Sequence, residues 1–361
     1  MKSHIFCETI QYVQQKVKTA IGYRVALGIT LAVFMLNGLV SAQSAPTEFV
    51  PFRGFIDQTT TANAGDYLAR PASKVKDGAA FEEMRRHILD MYQGVEVNHS
   101  FVVDSSHYDC VPIGQQPAVR KYGIKNIASP PPESVLDKST GADVAALDSI
   151  AKPVSQLDPE KPFDAFGNSV HCEEGTIPMR RITLDTMTHF ETLKQFFQKS
   201  PNEQAPAPGK THTPGPPHKY SYTYQWVNNL GGNSNLNIWS PYVNTSAGEI
   251  FSLSQEWYIG GSGSGTQTEE VGWVVYPAMF GDEKSHFFIF STADNYATGC
   301  WNNSCGDFVQ IADGGLLGAS FNPPSSTFGG GQYEVSSEYY LWQGNWWLQF
   351  QGTWVGYYPG S

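Results

Sequence analysis

The sequence predicts a mainly β protein: an antiparallel β-sandwich preceded by a small mixed α/β region. Three observations carry that expectation. From His218 to Ser361 the chain is a succession of short β-branched and aromatic runs broken by Gly, Asn, Ser or Pro. The same part holds all nine Trp and 11 acids, but only two bases, Lys219 and Lys284. Just before it, Pro201, Pro206, Pro208, Pro214, Pro216 and Pro217 crowd a stretch without apolar periodicity, the composition of an extended linker.

Taken in order, the chain opens with Lys2, Lys16, Lys18 and Arg24, then a mostly apolar run from Val25 to Val40 and the small residues Ser41 and Ala42. This pattern reads as a signal peptide over residues 1–42. An uncleaved anchor is the competing reading, because the apolar run is close to the lower limit for crossing a bilayer. Either way the rest of the chain is exported, secreted or periplasmic, and after cleavage it has no stable membrane association. Residues 43–200 form the mixed region, residues 201–217 the linker and residues 218–361 the sandwich. In the mixed region Phe81, Met84, Ile88, Leu89 and Tyr92 recur at helical spacing, as do Leu184, Met187, Phe190, Leu193, Phe196 and Phe197. Residues 126–165, rich in Pro, Ser, Asp and Ala, read as irregular connection. Strands are expected at 220–227, 236–242, 250–258, 271–276, 286–291, 308–311, 332–342 and 346–358, with Gly344-Asn345 as a two-residue hairpin turn.

Composition narrows the function. The 361 residues carry 23 Lys+Arg against 34 Asp+Glu, a net charge of −11, and so lack the basic stripe that nucleic acid demands. The sandwich part has only His218 and His286 and no Arg, which argues against a Ser-His-Asp triad or a His-rich zinc site. Gly260-Gly261-Ser262-Gly263-Ser264-Gly265 is followed by neither a Lys-Ser/Thr pair nor a helix signal, so it reads as an inter-strand loop rather than a phosphate cradle. No cofactor and no metal is implied. Outside the signal, Cys110, Cys172, Cys300 and Cys305 are an even set for an oxidising compartment. Cys300 and Cys305 are close in sequence, and pairing them leaves Cys110 with Cys172.

What remains is carboxylate chemistry, in which one carboxyl activates water and a partner group manages the second proton or the developing oxyanion. Glu256, Glu269, Glu270, Glu334 and Glu338 lie among aromatic residues, and spacing alone does not choose between them.

The residues of this part resemble the neprosin family of secreted, proline-directed glutamic peptidases. The resemblance is carried by Leu236-Asn237-Ile238-Trp239, Phe251-Ser252-Leu253-Ser254-Gln255, Glu270-Val271-Gly272-Trp273, Thr298-Gly299-Cys300-Trp301-Asn302, Gly344-Asn345-Trp346-Trp347 and Gly356-Tyr357-Tyr358-Pro359. Asp109-Cys110-Val111-Pro112-Ile113 and Cys172-Glu173-Glu174-Gly175-Thr176-Ile177-Pro178 are similar to the family's propeptide. The resemblance implies an antiparallel sandwich, an inhibitory propeptide removed at acidic pH, proline-containing peptides or proteins as partners, and two catalytic glutamates, of which Glu270 matches the first. The second belongs to a Trp-Gly-Gly-Glu-like stretch beyond the segment matching Gly356-Tyr357-Tyr358-Pro359, a position this sequence lacks, so the sandwich is expected to be incomplete at its C-terminal side. Gln255, Glu256, Glu334 and Glu338 are the candidate substitutes, Gln255 because a related class of glutamic peptidases pairs Glu with Gln. The alternative function is a non-catalytic sandwich that binds peptide or glycan.

Overall fold

The computed structural model describes residues 3–9, 48–133, 135, 151–153, 155–199, 221–321 and 325–360. The protein is mainly β, as the sequence predicts. Its strands are β1 (Ser3–Thr9), β2 (Ser100–Val103), β3 (Ser106–Pro112), β4 (Lys152–Pro153), β5 (Thr176–Arg180), β6 (Tyr222–Val227), β7 (Gly231–Asn237), β8 (Ser252–Gly260), β9 (Gln267–Val275), β10 (His286–Thr292), β11 (Cys300–Trp301), β12 (Val309–Gln310), β13 (Tyr333–Trp342), β14 (Asn345–Phe350) and β15 (Thr353–Tyr358). One sheet has the order β11-β10-β9-β8-β1-β6. The second runs β12-β15-β14-β13, with β7 antiparallel to β13 and β4 meeting its first residues in parallel. A small third sheet, β2-β3-β5, belongs to the N-terminal region.

Side chains alternate across a strand, so each face of the first sheet can be followed through its sequence. Val271, Trp273, Phe287 and Ile289 face the second sheet and close the sandwich core with Val335, Tyr339, Leu348, Phe350 and Val355. The opposite face, with Leu253, Val274, Phe288 and Phe290, is also buried, because the N-terminal region packs on it. Its partners include Phe81, Met84 and Ile88 from α3 (Gly78–Met91), Leu184 and Met187 from α5 (Leu184–Met187), and Phe196 from α6 (Leu193–Phe197). Three layers result, and β10, buried at every residue, runs through the middle one.

The N-terminal layer also holds α1 (Phe52–Thr61), α2 (Ala64–Leu68) and α4 (Pro117–Tyr122). The Asp77 carboxylate caps α3 by accepting from the Ala80 N–H at 2.9 Å, and its Phe81, Met84 and Ile88 fall on one helical face, as the spacing predicts. The periodic run from Leu184 to Phe197 is not one helix. Thr183 caps α5 and Thr192 caps α6, so the chain turns out of one helix and starts the next while its apolar residues still face the sheet. Within the layer Asp109 accepts from Ser100 Oγ at 2.6 Å and from Arg181, and the Arg181 guanidinium also donates to the Val50 carbonyl at 2.7 Å. Both side chains of that ion pair are buried.

Several strand boundaries differ from the sequence reading, and three of the differences have a clear local cause. The strand expected at 236–242 lies earlier, at β7, where a polar segment finds its backbone partners along β13 and Gly231 lets the chain approach the Tyr339 carbonyl more closely than any Cβ would allow. The run 346–358 is two strands joined at Gln351-Gly352, both with positive φ. The other hairpin turns at Gln343-Gly344, one residue before the expected pair, since a tight primed turn needs positive φ at both central residues and Asn345 already pairs with Trp342 in β14. Both expected disulfides, Cys110–Cys172 and Cys300–Cys305, are formed. Ser3–Thr9, inside the expected signal peptide, forms β1 between β6 and β8. The rest of that segment and the linker 201–217 lie outside the described residues. Among the described residues, no helix is long and apolar enough to cross a membrane.

Candidate active site

Glu270 sits on β9, opposite Trp257 of β8 and Phe290 of β10, on the face covered by the N-terminal layer. Its side chain is fully buried. Such a carboxylate must be satisfied by donors or by a proton, because burial removes the water that would otherwise solvate it. Oε1 accepts from Thr268 Oγ1 at 3.0 Å and from the Tyr296 hydroxyl at 2.7 Å, while Oε2 accepts from the Lys199 ammonium. That ammonium donates again to Gln255 Oε1 at 2.6 Å. It also stands over the rings of Trp257, Phe288 and Phe290, 5.5 to 5.9 Å from their centroids.

Local sequence explains each placement. Thr268 precedes Glu270 by two residues on the same strand and so shares its face. Gln255 lies on β8 opposite Gly272, where a Cβ would come within 2.0 Å of the Ser254 carbonyl, so only glycine lets β8 and β9 approach as they do beside the site. Tyr296 follows Asn295 in a loop with positive φ at both residues, and Asp294 fixes that loop by accepting from the Thr298 N–H at 2.8 Å and the Thr298 hydroxyl at 2.7 Å. The Tyr296 ring then stacks on Phe290. Lys199 follows α6, whose Phe196 is buried in the shared core, and the next carbonyl, that of Gln198, accepts from Trp301 Nε1.

The other sequence-predicted residues go elsewhere. Gln255 is brought to Glu270 through the shared ammonium. Glu256, one residue along, points to the opposite face of the sheet, into the sandwich, where Ser234, Ser337 and Tyr258 donate to it at 2.6 to 2.7 Å. Burial with no cation pushes its pKa up to about 7. Glu269 shares that inner side, and burial, then the Glu270 charge, raise its pKa to about 8. Glu334 and Glu338 stand on β13 in the second sheet, opposite Asn237 and Asn233, and partial burial raises Glu338. Sequence reading missed Lys199, Thr268 and Tyr296. Only Thr268 left a signal, the two-residue spacing from Glu270. Two groupings of metal-ligand type among the described residues, His99–Cys110–Glu173 and Cys300–Cys305–Asp307, are built on disulfide sulfurs, which are not thiolate ligands.

A comparison with protein families matches residues 248–361 to the family described as Neprosin. This part of the chain is similar to the neprosin domain. The matched segment contains β8, β9 and β10, and with them Gln255, Glu270 and Tyr296. The neprosin family is associated with peptidase activity, and the two disulfides and the domain are compatible with an extracellular protein.

Proposed function

We propose that the chain is the precursor of a secreted glutamic-type endopeptidase that hydrolyses peptide bonds on the carboxyl side of proline in acidic medium. The observation that carries the reading is the polar cluster of Glu270, Gln255, Thr268 and Tyr296 in the segment that matches the neprosin family. In this reading Glu270 takes a proton from water as its oxygen attacks the scissile carbonyl. The Gln255 amide, once released from Lys199, donates to the oxyanion. Glu270 then returns the proton to the leaving nitrogen as the C–N bond breaks. Thr268 and Tyr296 hold the carboxylate in position throughout. Gln255 is preferred to Glu256, Glu334 and Glu338 as partner, because it alone among these shares a hydrogen-bond donor with Glu270.

A second reading, a module that binds peptide or glycan, is favoured by Tyr222, Tyr224 and Trp226 on β6, which are 54%, 56% and 65% exposed. Their successive ring centroids lie 6.0 and 6.2 Å apart. The deciding experiment incubates the purified chain, before and after acid treatment, with proline-containing peptides across pH 2 to 8 beside Glu270→Gln. Cleavage after proline that Glu270→Gln abolishes supports the peptidase. A folded protein that cleaves nothing at any pH, and binds peptide or glycan instead, replaces it with the module.

A further inference from the structure

The Lys199 side chain is 10% exposed and belongs to the N-terminal layer, yet among the described residues its charge is met by the sandwich: Glu270, Gln255 and the rings of Trp257, Phe288 and Phe290. It fills the space in front of the carboxylate, where an attacking water and a scissile carbonyl have to stand. We infer that Lys199 is a built-in plug of the Glu270 site, and that the site opens when this ammonium leaves its seat rather than when the chain is cut in the linker. The inference rests on the reading of Glu270 as the working carboxylate.

The second half of the statement follows from how Lys199 is held. Phe190 and Phe196 on one side, and Leu253, Val274, Phe288, Phe290 and Trp301 on the other, are buried in a single core shared by layer and sheet. Lys199 hangs from that core through Phe197, whose ring meets His87 edge-on, and through Gln198, whose carbonyl takes the Trp301 indole N–H. His87 is bonded in turn to the Ser304 carbonyl at 2.8 Å. None of these contacts involves residues 201–217. A cut there leaves the apolar core and the ion pair in place, and a buried pair of this kind is costly to break one partner at a time. The plug is also specific in shape. Its stem lies among rings, and a compact ammonium with three donors reaches both Glu270 and Gln255.

The test uses the whole chain and two readouts. Glu270 is labelled with a water-soluble carbodiimide and glycine ethyl ester and quantified by peptide mass spectrometry, and hydrolysis of a proline-containing peptide is followed in parallel. The proteins are the parent, the parent nicked through a protease site placed in the linker, and Lys199→Met, which keeps the stem among the rings without its charge. Asp109 and Glu256, buried in the outer layer and the sandwich core, report in the same spectra whether each protein is folded. The expected result is Glu270 protected in the parent and in the nicked parent, and labelled about tenfold or more faster in Lys199→Met, with hydrolysis appearing only in the last. A folded Lys199→Met with Glu270 still protected overturns the plug, and so does a folded nicked parent whose Glu270 is freely labelled while the halves remain associated. That second arm decides the matter if Lys199→Met does not fold. Labelling without hydrolysis in any form keeps the plug and removes the peptidase reading. Hydrolysis by an acid-treated parent, with Glu270 protected in folded Lys199→Met, does the reverse.

Discussion

Glu256 and Glu270 lie on neighbouring strands of one sheet, both buried, and they are kept in opposite ways. Glu270 faces the N-terminal layer and is met by a cation from it. Glu256 faces the second sheet and is met by three hydroxyls and the Ser234 backbone N–H but by no cation, so burial raises its pKa to about 7. The difference follows from what each neighbouring layer can supply. The sandwich part has two bases in all, Lys219 and Lys284, and Lys284 is spent on Asp104. An inner carboxyl there has no cation to meet it, and its pKa is raised by burial instead. The outer layer is rich enough in Lys and Arg to use ion pairs, both within itself, as Arg181–Asp109, and across the interface, as Lys199–Glu270. One face is set by pH and the other by which layer is docked on it.

The sharpest way to break this comparison is inside the outer layer. Arg181→Met strands the Asp109 carboxylate among Ser100 and the apolar residues around it, and loss of one member of a buried, multiply bonded pair costs about 3 to 5 kcal/mol. Urea denaturation of the purified chain should show the outer layer melting ahead of the sandwich. An unchanged single transition would mean that the Arg181–Asp109 pair does not hold the outer layer together.

The inner face makes a prediction in pH. Unfolded glutamates titrate near 4.5, whereas Glu256 is raised to about 7 and Glu269 to about 8. A raised carboxyl stabilises the fold fully below its unfolded pKa, and the contribution is lost as pH rises through the folded one, here between about 4.5 and 8. For Glu256 alone the loss amounts to about 3 kcal/mol. His87 and His107, lowered mainly by burial, work in the opposite direction on the acid side. The difference between parent and Glu256→Gln, measured by denaturation at pH 4, 6 and 8, isolates the carboxyl. A difference that stays flat over that range rules out a protonated Glu256.

Much of this arrangement was legible in the sequence, but unevenly. The α3 face, the β-rich C-terminal half and the four cysteines could be read because each rests on spacing or composition within a short window. Glu270 was found through the resemblance of its Glu-x-Gly-Trp segment. The contacts that define its surroundings were not legible. Lys199 is 71 residues away from Glu270 and Tyr296 is 26. Both arrive by packing, one from a helix pair that the periodicity merged into one, the other from a turn with positive φ that no propensity announces. The polar β7 was placed late for a related reason, since its pairing is decided by β13 rather than by its own apolar residues.

The two disulfides sharpen the contrast between layers at a smaller scale. Cys110–Cys172 closes a separation of 62 residues in the outer layer, and Cys300–Cys305 closes 5 beside the site. On chain-entropy grounds the first stabilises by about 4 kcal/mol and the second by about 2, a difference of about 2 kcal/mol. Replacing each pair by serines and comparing denaturation midpoints should therefore weaken the chain more through the first. Equal losses would show that native contacts around Cys300 outweigh the loop term.

The smallest expected effect concerns Tyr296, and it tests whether the outer-face cluster is arranged for Glu270 or merely tolerates it. The Tyr296 hydroxyl donates to Oε1 at 2.7 Å while the ring is held by Phe290 and Trp257, so Tyr296→Phe removes one donor and leaves the packing. A hydrogen bond to a charged group contributes about 1.5 to 3 kcal/mol. Thr268 and Lys199 remain as donors in the precursor, so the loss in its stability should fall at the low end, about 1.5 kcal/mol or less. Once Lys199 has left, Tyr296 supplies one of two remaining donors, and the same substitution should lower kcat/KM by about tenfold, mostly in kcat, since positioning of the base is felt during proton transfer rather than in binding. Thr268→Val, which removes the other donor at 3.0 Å, should act in the same sense and more weakly. A Tyr296→Phe protein with the parent's kcat and an unaltered pH profile would make the tyrosine a packing residue and leave Glu270 positioned by its strand alone.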